Sequence, residues 1–157
     1  MLAPVAQTNI PSVIVFKGDE LSYAEGSSTI ERINRAVGWS DEDREILPIL
    51  AQQPANCYFA KNDSQITGYA IVRTEGSERH LHVSWIATDT PIRGVGTELM
   101  RTIVAENRRL EHKILTLSHH KDDPIQTKFY KKFATLEGLT YEAIDADPTF
   151  YYIVYRM

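Results

Sequence analysis

A single cysteine, Cys57, leaves the 157-residue chain no intrachain disulfide and makes a thiolate zinc site improbable by spacing. Inside "NCYFA" that cysteine reads as a small buried apolar side chain rather than a nucleophile. Long apolar runs are missing as well, and no stretch reaches the roughly 18 residues a membrane helix needs. The opening "MLAPVAQTNIPSVIVF" has no basic residue before Lys17, which argues against a signal peptide. Surplus positive charge is lacking too. The formal net charge is −4, so the chain has no overall electrostatic footprint for nucleic acid. There is no internal repeat, low-complexity tract or interdomain linker. These absences lead us to expect one domain over residues 1–157, in a reducing cytoplasm, with no membrane, nucleic-acid or metal partner. A hydrophobic fraction of 43% is enough for a sizeable core.

What is present reads as a mixed α/β order. "SVIVF" (Ser12–Phe16) predicts a short strand after Pro11. "SSTIERINRAVGW" predicts a helix with a Ser28–Glu31 capping box and an Ile30, Ile33, Val37 stripe. "SDEDREILPILAQQ" predicts a second helix, capped by Ser40 and disturbed at Pro48. "NCYFAKN" and "QITGYAIVRTE" form a hairpin around Asp63-Ser64, and "RHLHVSWIAT" continues as a third strand. Pro91 to Leu110 then turns into a helix with Val95, Leu99, Ile103 and Val104 on one side. "HKILTLSHH" is a strand, "PIQTKFYKKFATL" a helix, and "TYEAIDA" with "FYYIVYRM" a final antiparallel pair.

One turn stands out. "WIATDTPIRGVGTELM" places Gly94 and Gly96 where an apolar strand gives way to a helix, in a chain with only 8 Gly. A helix that begins abruptly directs unpaired N–H groups and the positive end of its dipole outward. That arrangement holds phosphate when no side chain blocks the approach, and glycines remove the Cβ atoms in the way. The spacing is neither the dinucleotide G-x-G-x-x-G nor a P-loop. A tight turn that binds nothing is the alternative reading.

"PIRGVG", followed by Leu99-Met100 and preceded by "SWI", resembles the Gln/Arg-x-x-Gly-x-Gly/Ala signature of the GNAT N-acetyltransferases. The early helices with Trp39, Gly68 in "ITGYAIV", the "FYKK" helix and the terminal "YYIVYRM" strand fall in that family's order. The resemblance implies a mixed, mainly antiparallel central sheet of about seven strands flanked by about four helices. It also implies acetyl-CoA as cosubstrate. The diphosphate would lie on the amides of Ile92, Arg93, Gly94, Val95, Gly96 and Thr97, and the pantetheine arm beside Trp85 and Ile86. Pro91 departs from the signature, since proline offers neither an N–H nor a side-chain donor there. Arg93 would supply charge in its place.

Acetyl transfer needs an amine that loses a proton, a stabilised thioester oxygen and a protonated leaving thiolate. The resemblance implies an oxyanion donor at a backbone N–H near Ile86 and places Tyr130 at the position of the general acid. Phe129 and Phe133 share that helix, so a core aromatic is the competing reading. A free phenol titrates near 10, suited to protonating a thiolate. Asp123 stands where the family often has a cofactor-contacting Asn; it also suits an N-cap before Pro124. His80 and His82, two apart on one strand face, are candidates for the base, or else half-exposed strand residues. His119 and His120 are rivals. The family uses the first two helices on the acceptor side, which makes Trp39, Asp41 and Glu42 candidates for substrate contact. Acidic residues in a first turn also simply complement the dipole.

The expected activity is transfer of an acetyl group from acetyl-CoA to a primary amine by direct attack in a ternary complex. The acceptor is open among small amines and peptide or protein amines, and a homodimer is also open. The rival is a non-catalytic coenzyme A sensor or interaction domain of the same fold. It is favoured by Pro91 and by "FATLEGLTYE" where the family has Gly-Phe after the tyrosine helix.

Overall fold

The computed structural model describes residues 12–77, 79–89 and 94–157. Seven strands form one sheet in the order β1-β2-β3-β4-β5-β7-β6. They are β1 (Val13–Lys17), β2 (Cys57–Asn62), β3 (Gln65–Glu75), β4 (His80–Thr88), β5 (Ile114–His120), β6 (Thr140–Ile144) and β7 (Phe150–Arg156). Four helices accompany them: α1 (Tyr23–Val37), α2 (Asp43–Gln52), α3 (Val95–Arg109) and α4 (Pro124–Glu137). The strands pair antiparallel at β1/β2, β5/β7 and β6/β7, while β4 and β5 run parallel. This is the mixed α/β order read from the sequence and the mainly antiparallel sheet that the resemblance implies. Among the described residues no helix is long and apolar enough to cross a membrane.

The chain clusters into two compact units. The first takes Met1–Ala70 with Ile86–Leu99, and its core includes Ile30, Ile33, Ile46, Leu50, Phe59, Tyr69, Val95 and Leu99. Ser22, not Ser28, caps α1: its Oγ accepts from the Glu25 amide at 3.1 Å and donates to the Glu25 carboxylate at 3.2 Å. The helix therefore starts earlier than predicted. Ser27 and Ser28 lie inside it, their hydroxyls donating back to the carbonyls of Ala24 and Glu25. Gly26 lies inside the helix against Leu50, where a Cβ would sit 3.0 Å from Leu50 Cδ2. Ser40 is not a cap either. It begins a 3-10 turn, Ser40–Glu42, and α2 runs unbroken through Pro48.

A buried hydrogen-bond chain fixes α1 within this unit. Asn34 is fully buried, its amide donating to Asp43 at 2.7 Å while its carbonyl accepts from the Tyr69 hydroxyl at 2.5 Å. Burial pushes the Tyr69 phenol upward in pKa, and the Asn34 bond only partly offsets it. Cys57 is fully buried, and burial pushes its thiol up to about 12. A thiol so poorly ionised is no nucleophile at neutral pH.

The second unit takes Ile71–Trp85 with Met100–Met157. Its core includes Ile71, Leu81, Val83, Met100, Ile103, Leu115, Leu117, Phe133, Ile153 and Tyr155. Asn107 of α3, also fully buried, accepts from the Leu81 amide at 3.2 Å and donates to the Ile114 carbonyl at 2.8 Å. One side chain thus holds the first turns of pairing between the two parallel strands.

Candidate functional site

The glycine turn belongs to the first unit. Gly94 has φ +94°, and among the described residues, its chain neighbours aside, no atom lies within 4 Å of where a Cβ would stand. The Glu98 amide donates to the Gly94 carbonyl at 2.9 Å, so helical bonding begins there. Three residues bear on the position of this helix start. Gly68 lets it approach, since a Cβ on Gly68 would come within 2.8 Å of Val95 Cγ1. Arg32 of α1 binds both the Asp89 carboxylate and the Ile66 carbonyl, and the Asp89 amide donates to the Thr67 carbonyl at 3.0 Å. Arg32 and Asp89 were not singled out from sequence. Their 57-residue separation offers no local signal.

In the second unit β4 and β5 are in register at His82–Thr116 and Val83–Leu117, and among the described residues the ladder ends there. β5 continues to His120, paired with β7 as far as Phe150. Ser84 follows Val83, and its hydroxyl oxygen is buried with no partner among the described residues. At this level of the sheet, Thr116 Oγ1 lies 3.1 Å from His80 Nε2 and 2.8 Å from His82 Nδ1. Both histidines are buried, 6% exposed each, which corrects the expectation of half-exposed rings. Leu81 and Val83 face a core, but the opposite face carries polar partners that bury the imidazoles as well.

Around His82 the network widens. Glu75 Oε2 is 3.6 Å from its Nδ1, Tyr152 stacks on its ring at 5.9 Å, and the Tyr152 hydroxyl donates to Glu75 Oε1 at 2.7 Å. Arg73 Nη2 donates to Glu75 Oε2 at 2.7 Å. Burial pushes the His82 pKa down to about 4, against the upward pull of Glu75 and with Arg73 and His80 adding to the depression. Burial acts to raise the Glu75 carboxyl, but the Tyr152 and Arg73 bonds outweigh it and hold the group below its ordinary range. At neutral pH this cluster is a neutral imidazole beside a carboxylate.

A model of the acetyltransferase (GNAT) family matches residues 24–134, more than two thirds of the chain and including both glycines of the turn. The chain belongs to this family. Solved structures share the fold. The PaiA N-acetyltransferase of Thermoplasma acidophilum, in complex with coenzyme A, is 14% identical with a TM-score of 0.72, covering 93% of this chain and 99% of that one. A GNAT-family acetyltransferase of Bacillus cereus is 15% identical with a TM-score of 0.70, covering 93% and 96%. The diaminobutyrate acetyltransferase EctA of Paenibacillus lautus, in complex with L-2,4-diaminobutyric acid and coenzyme A, is 10% identical with a TM-score of 0.69, covering 93% and 95%. A search of curated proteins gives no match.

Not every predicted residue of this GNAT chain is equally placed for the chemistry. Ile92 and Arg93 lie outside the described residues, while Gly94, Val95, Gly96 and Thr97 form the head of α3. Trp85 and Ile86 are half-buried on β4. Tyr130 is 5% exposed in α4, stacked on His119 at 5.4 Å, and its carbonyl accepts from the Tyr155 hydroxyl at 2.9 Å. Burial, with Asp123 adding, raises the Tyr130 phenol above its ordinary value, so it is a weaker acid than the free phenol assumed from sequence. Asp123 caps α4: its Oδ1 accepts from the Gln126 amide at 3.0 Å, with Pro124 at the first helical position. The cap reading therefore holds for that oxygen.

His119 is buried, with Nδ1 3.0 Å from the His120 carbonyl and Nε2 unpartnered, while His120 is exposed and packs on Phe150. Trp39 is half-buried and turns α1 into the 3-10 segment through its amide bond to the Asn34 carbonyl at 2.6 Å. Asp41 is exposed and Glu42 half-buried, both in the first turn of that segment. Their neighbour Asp43, of the same acidic run, is the one with a buried partner. Among the described residues no group of His, Cys, Asp and Glu could hold a metal ion.

Proposed function

We propose that this chain is a single-domain acetyltransferase that transfers an acetyl group from acetyl-CoA to a primary amine, by direct attack in a ternary complex. The observation that carries the reading is the open, positive-φ Gly94 at the head of a 15-residue helix in a chain of the GNAT family. First-turn amides have no intrahelical acceptor, and the bare glycine leaves a diphosphate room to approach them. The residues present therefore suit coenzyme A, with Gly94 to Thr97 and the adjoining Ile92 and Arg93 as its anion-binding segment, and Trp85 and Ile86 beside the thioester arm. The bound cosubstrate supplies an activated acetyl thioester.

This chain's own residues would manage the protons. Tyr130, protonated throughout the neutral range, is the donor to the leaving sulfur. His80 and His82 are the candidates to accept the amine's proton, and Trp39, Asp41 and Glu42 are the candidates to contact the acceptor. Solved relatives bound to coenzyme A support the cosubstrate, and the EctA complex supports a small amine as one acceptor class.

The test mixes purified protein with acetyl-CoA and an amine panel and follows free thiol release, alongside thermal shifts with coenzyme A. Turnover with at least one amine is expected, and Tyr130→Phe should lower kcat with coenzyme A affinity unchanged. Gly96→Glu should abolish that affinity. Binding without turnover across the panel would turn the reading to a coenzyme A sensor. Absence of binding would overturn both.

A further inference from the structure

The Thr116 hydroxyl has one proton and two imidazole neighbours, His80 Nε2 at 3.1 Å and His82 Nδ1 at 2.8 Å. It can donate to only one of them, so the other ring must present an N–H. Glu75 decides which. Its Oε2 lies 3.6 Å from His82 Nδ1, where a nitrogen lone pair would face a carboxylate and be repelled. An N–H at the same place is attracted. His82 therefore carries its proton on Nδ1 and donates it to the Thr116 oxygen, whose own proton is free for His80 Nε2 or the Tyr152 hydroxyl, and the lone pair of His82 is left on Nε2. Tyr152 holds this arrangement from β7: its hydroxyl fixes the second carboxylate oxygen at 2.7 Å, and its ring lies 15° from parallel with the imidazole.

No partner for His82 Nε2 is found among the described residues. Two residues further along the same strand face stands Ser84, with its buried, unpartnered hydroxyl oxygen, where the β4–β5 ladder has just ended. An imidazole lone pair and a buried hydroxyl on one strand face, where the β4–β5 ladder stops among the described residues, are groups that a polar substrate would complete.

We propose that Glu75, Thr116 and Tyr152 are positioning residues that lock His82 as its Nδ1–H tautomer, making Nε2 the atom that takes the acceptor's proton. The proposal rests on the acetyl-transfer reading and deepens it. In the step, the acceptor nitrogen forms its bond to the acetyl carbon, the carbon–sulfur bond breaks with its electron pair on sulfur, and one proton passes from that nitrogen to His82 Nε2. Water removes the proton between turnovers. The same logic orients the base in other acid–base sites, where a third group fixes the imidazole. Arg73 and Glu75 from β3, His80 from β4, Thr116 from β5 and Tyr152 from β7 are the charged and titratable groups and hydroxyls around this ring.

Two readouts separate the proposal from the activity. Nitrogen-15 NMR of the imidazoles in the ligand-free protein should show His82 protonated at Nδ1. Glu75→Gln should mix the tautomers and lower the His82 pKa further. With the acceptor amine found by the panel, Glu75→Gln and Tyr152→Phe should each lower kcat about tenfold or more with KM nearly unchanged. The alkaline plateau of the pH profile should persist, and Glu75→Asp should restore part of the loss. A wild-type His82 protonated at Nε2, or a tautomer indifferent to Glu75→Gln, would overturn the positioning. Variants with wild-type kcat would overturn its catalytic use. A wild type without turnover would remove the acetyl-transfer reading, while the NMR result would still decide the tautomer.

Discussion

Gly68→Ala tests how the helix start is held against the strands of its own unit. A Cβ at this position would lie 2.8 Å from Val95 Cγ1, 3.1 Å from Thr88 Cγ2 and 3.2 Å from the Ala87 carbonyl oxygen. Carbon atoms rest at about 3.5–4.0 Å, so the overlap with Val95 is roughly 1 Å. Val95 is fully buried, and the Ala87 neighbour is backbone, so neither yields freely. Overpacking of this kind costs about 1–3 kcal/mol. Urea denaturation should show the midpoint falling with the slope m unchanged, as for a loss of stability without a change of compactness. The cause is tested by a double-mutant cycle with Val95→Ala. The closest clash is with a Val95 methyl, so the pair should be less destabilised than the sum of singles by about 0.5–2 kcal/mol. If the two effects simply add, the steric account is refuted. Because Val95 is the first residue of α3, the single variant should also weaken coenzyme A binding, and a thermal shift with coenzyme A reads this directly.

Two further outcomes follow from buried polar groups. Asn34→Ala strands the Tyr69 hydroxyl in the core and should cost about 2–3 kcal/mol by denaturant titration, whereas adding Tyr69→Phe should recover part of the loss. The His82 pKa is depressed from 6.5 to about 4 by burial, so the unfolded chain binds the proton first. The stability this gives is present above pH 6.5 and is lost as pH falls towards 4, by up to about 3 kcal/mol. Denaturation midpoints measured across that window should fall less steeply in His82→Gln.

The element order was legible because each piece has a strong period or an abrupt change of one. Ile30 and Ile33 mark one helix, alternation marks "RHLHVSWIAT", and paired glycines mark where α3 begins. The cap of α1 was misjudged because "GSS" has the composition of a turn. Its serines are satisfied by carbonyls one turn back, and its glycine admits Leu50, facts that depend on another helix. Gly94 was visible because its conformation is a local matter. The histidines were visible as a same-face pair, but their burial and their shared Thr116 come from β5, β3 and β7. Glu75, Thr116 and Tyr152 therefore left no sign, since residues joined across strands lie up to 77 positions apart. Asp123 shows the limit of resemblance: its local role as a cap was readable from Asp-Pro alone.

Asn107 gives the β4–β5 divergence a further meaning. One amide rivets both strands at their origin, and β7 zips β5 along its far edge up to its tip. The two strands are therefore held together from the Asn107 end, and β5 keeps its β7 partner where, among the described residues, its ladder with β4 stops. The end of that ladder thus leaves the backbone groups of β5 satisfied on its other edge.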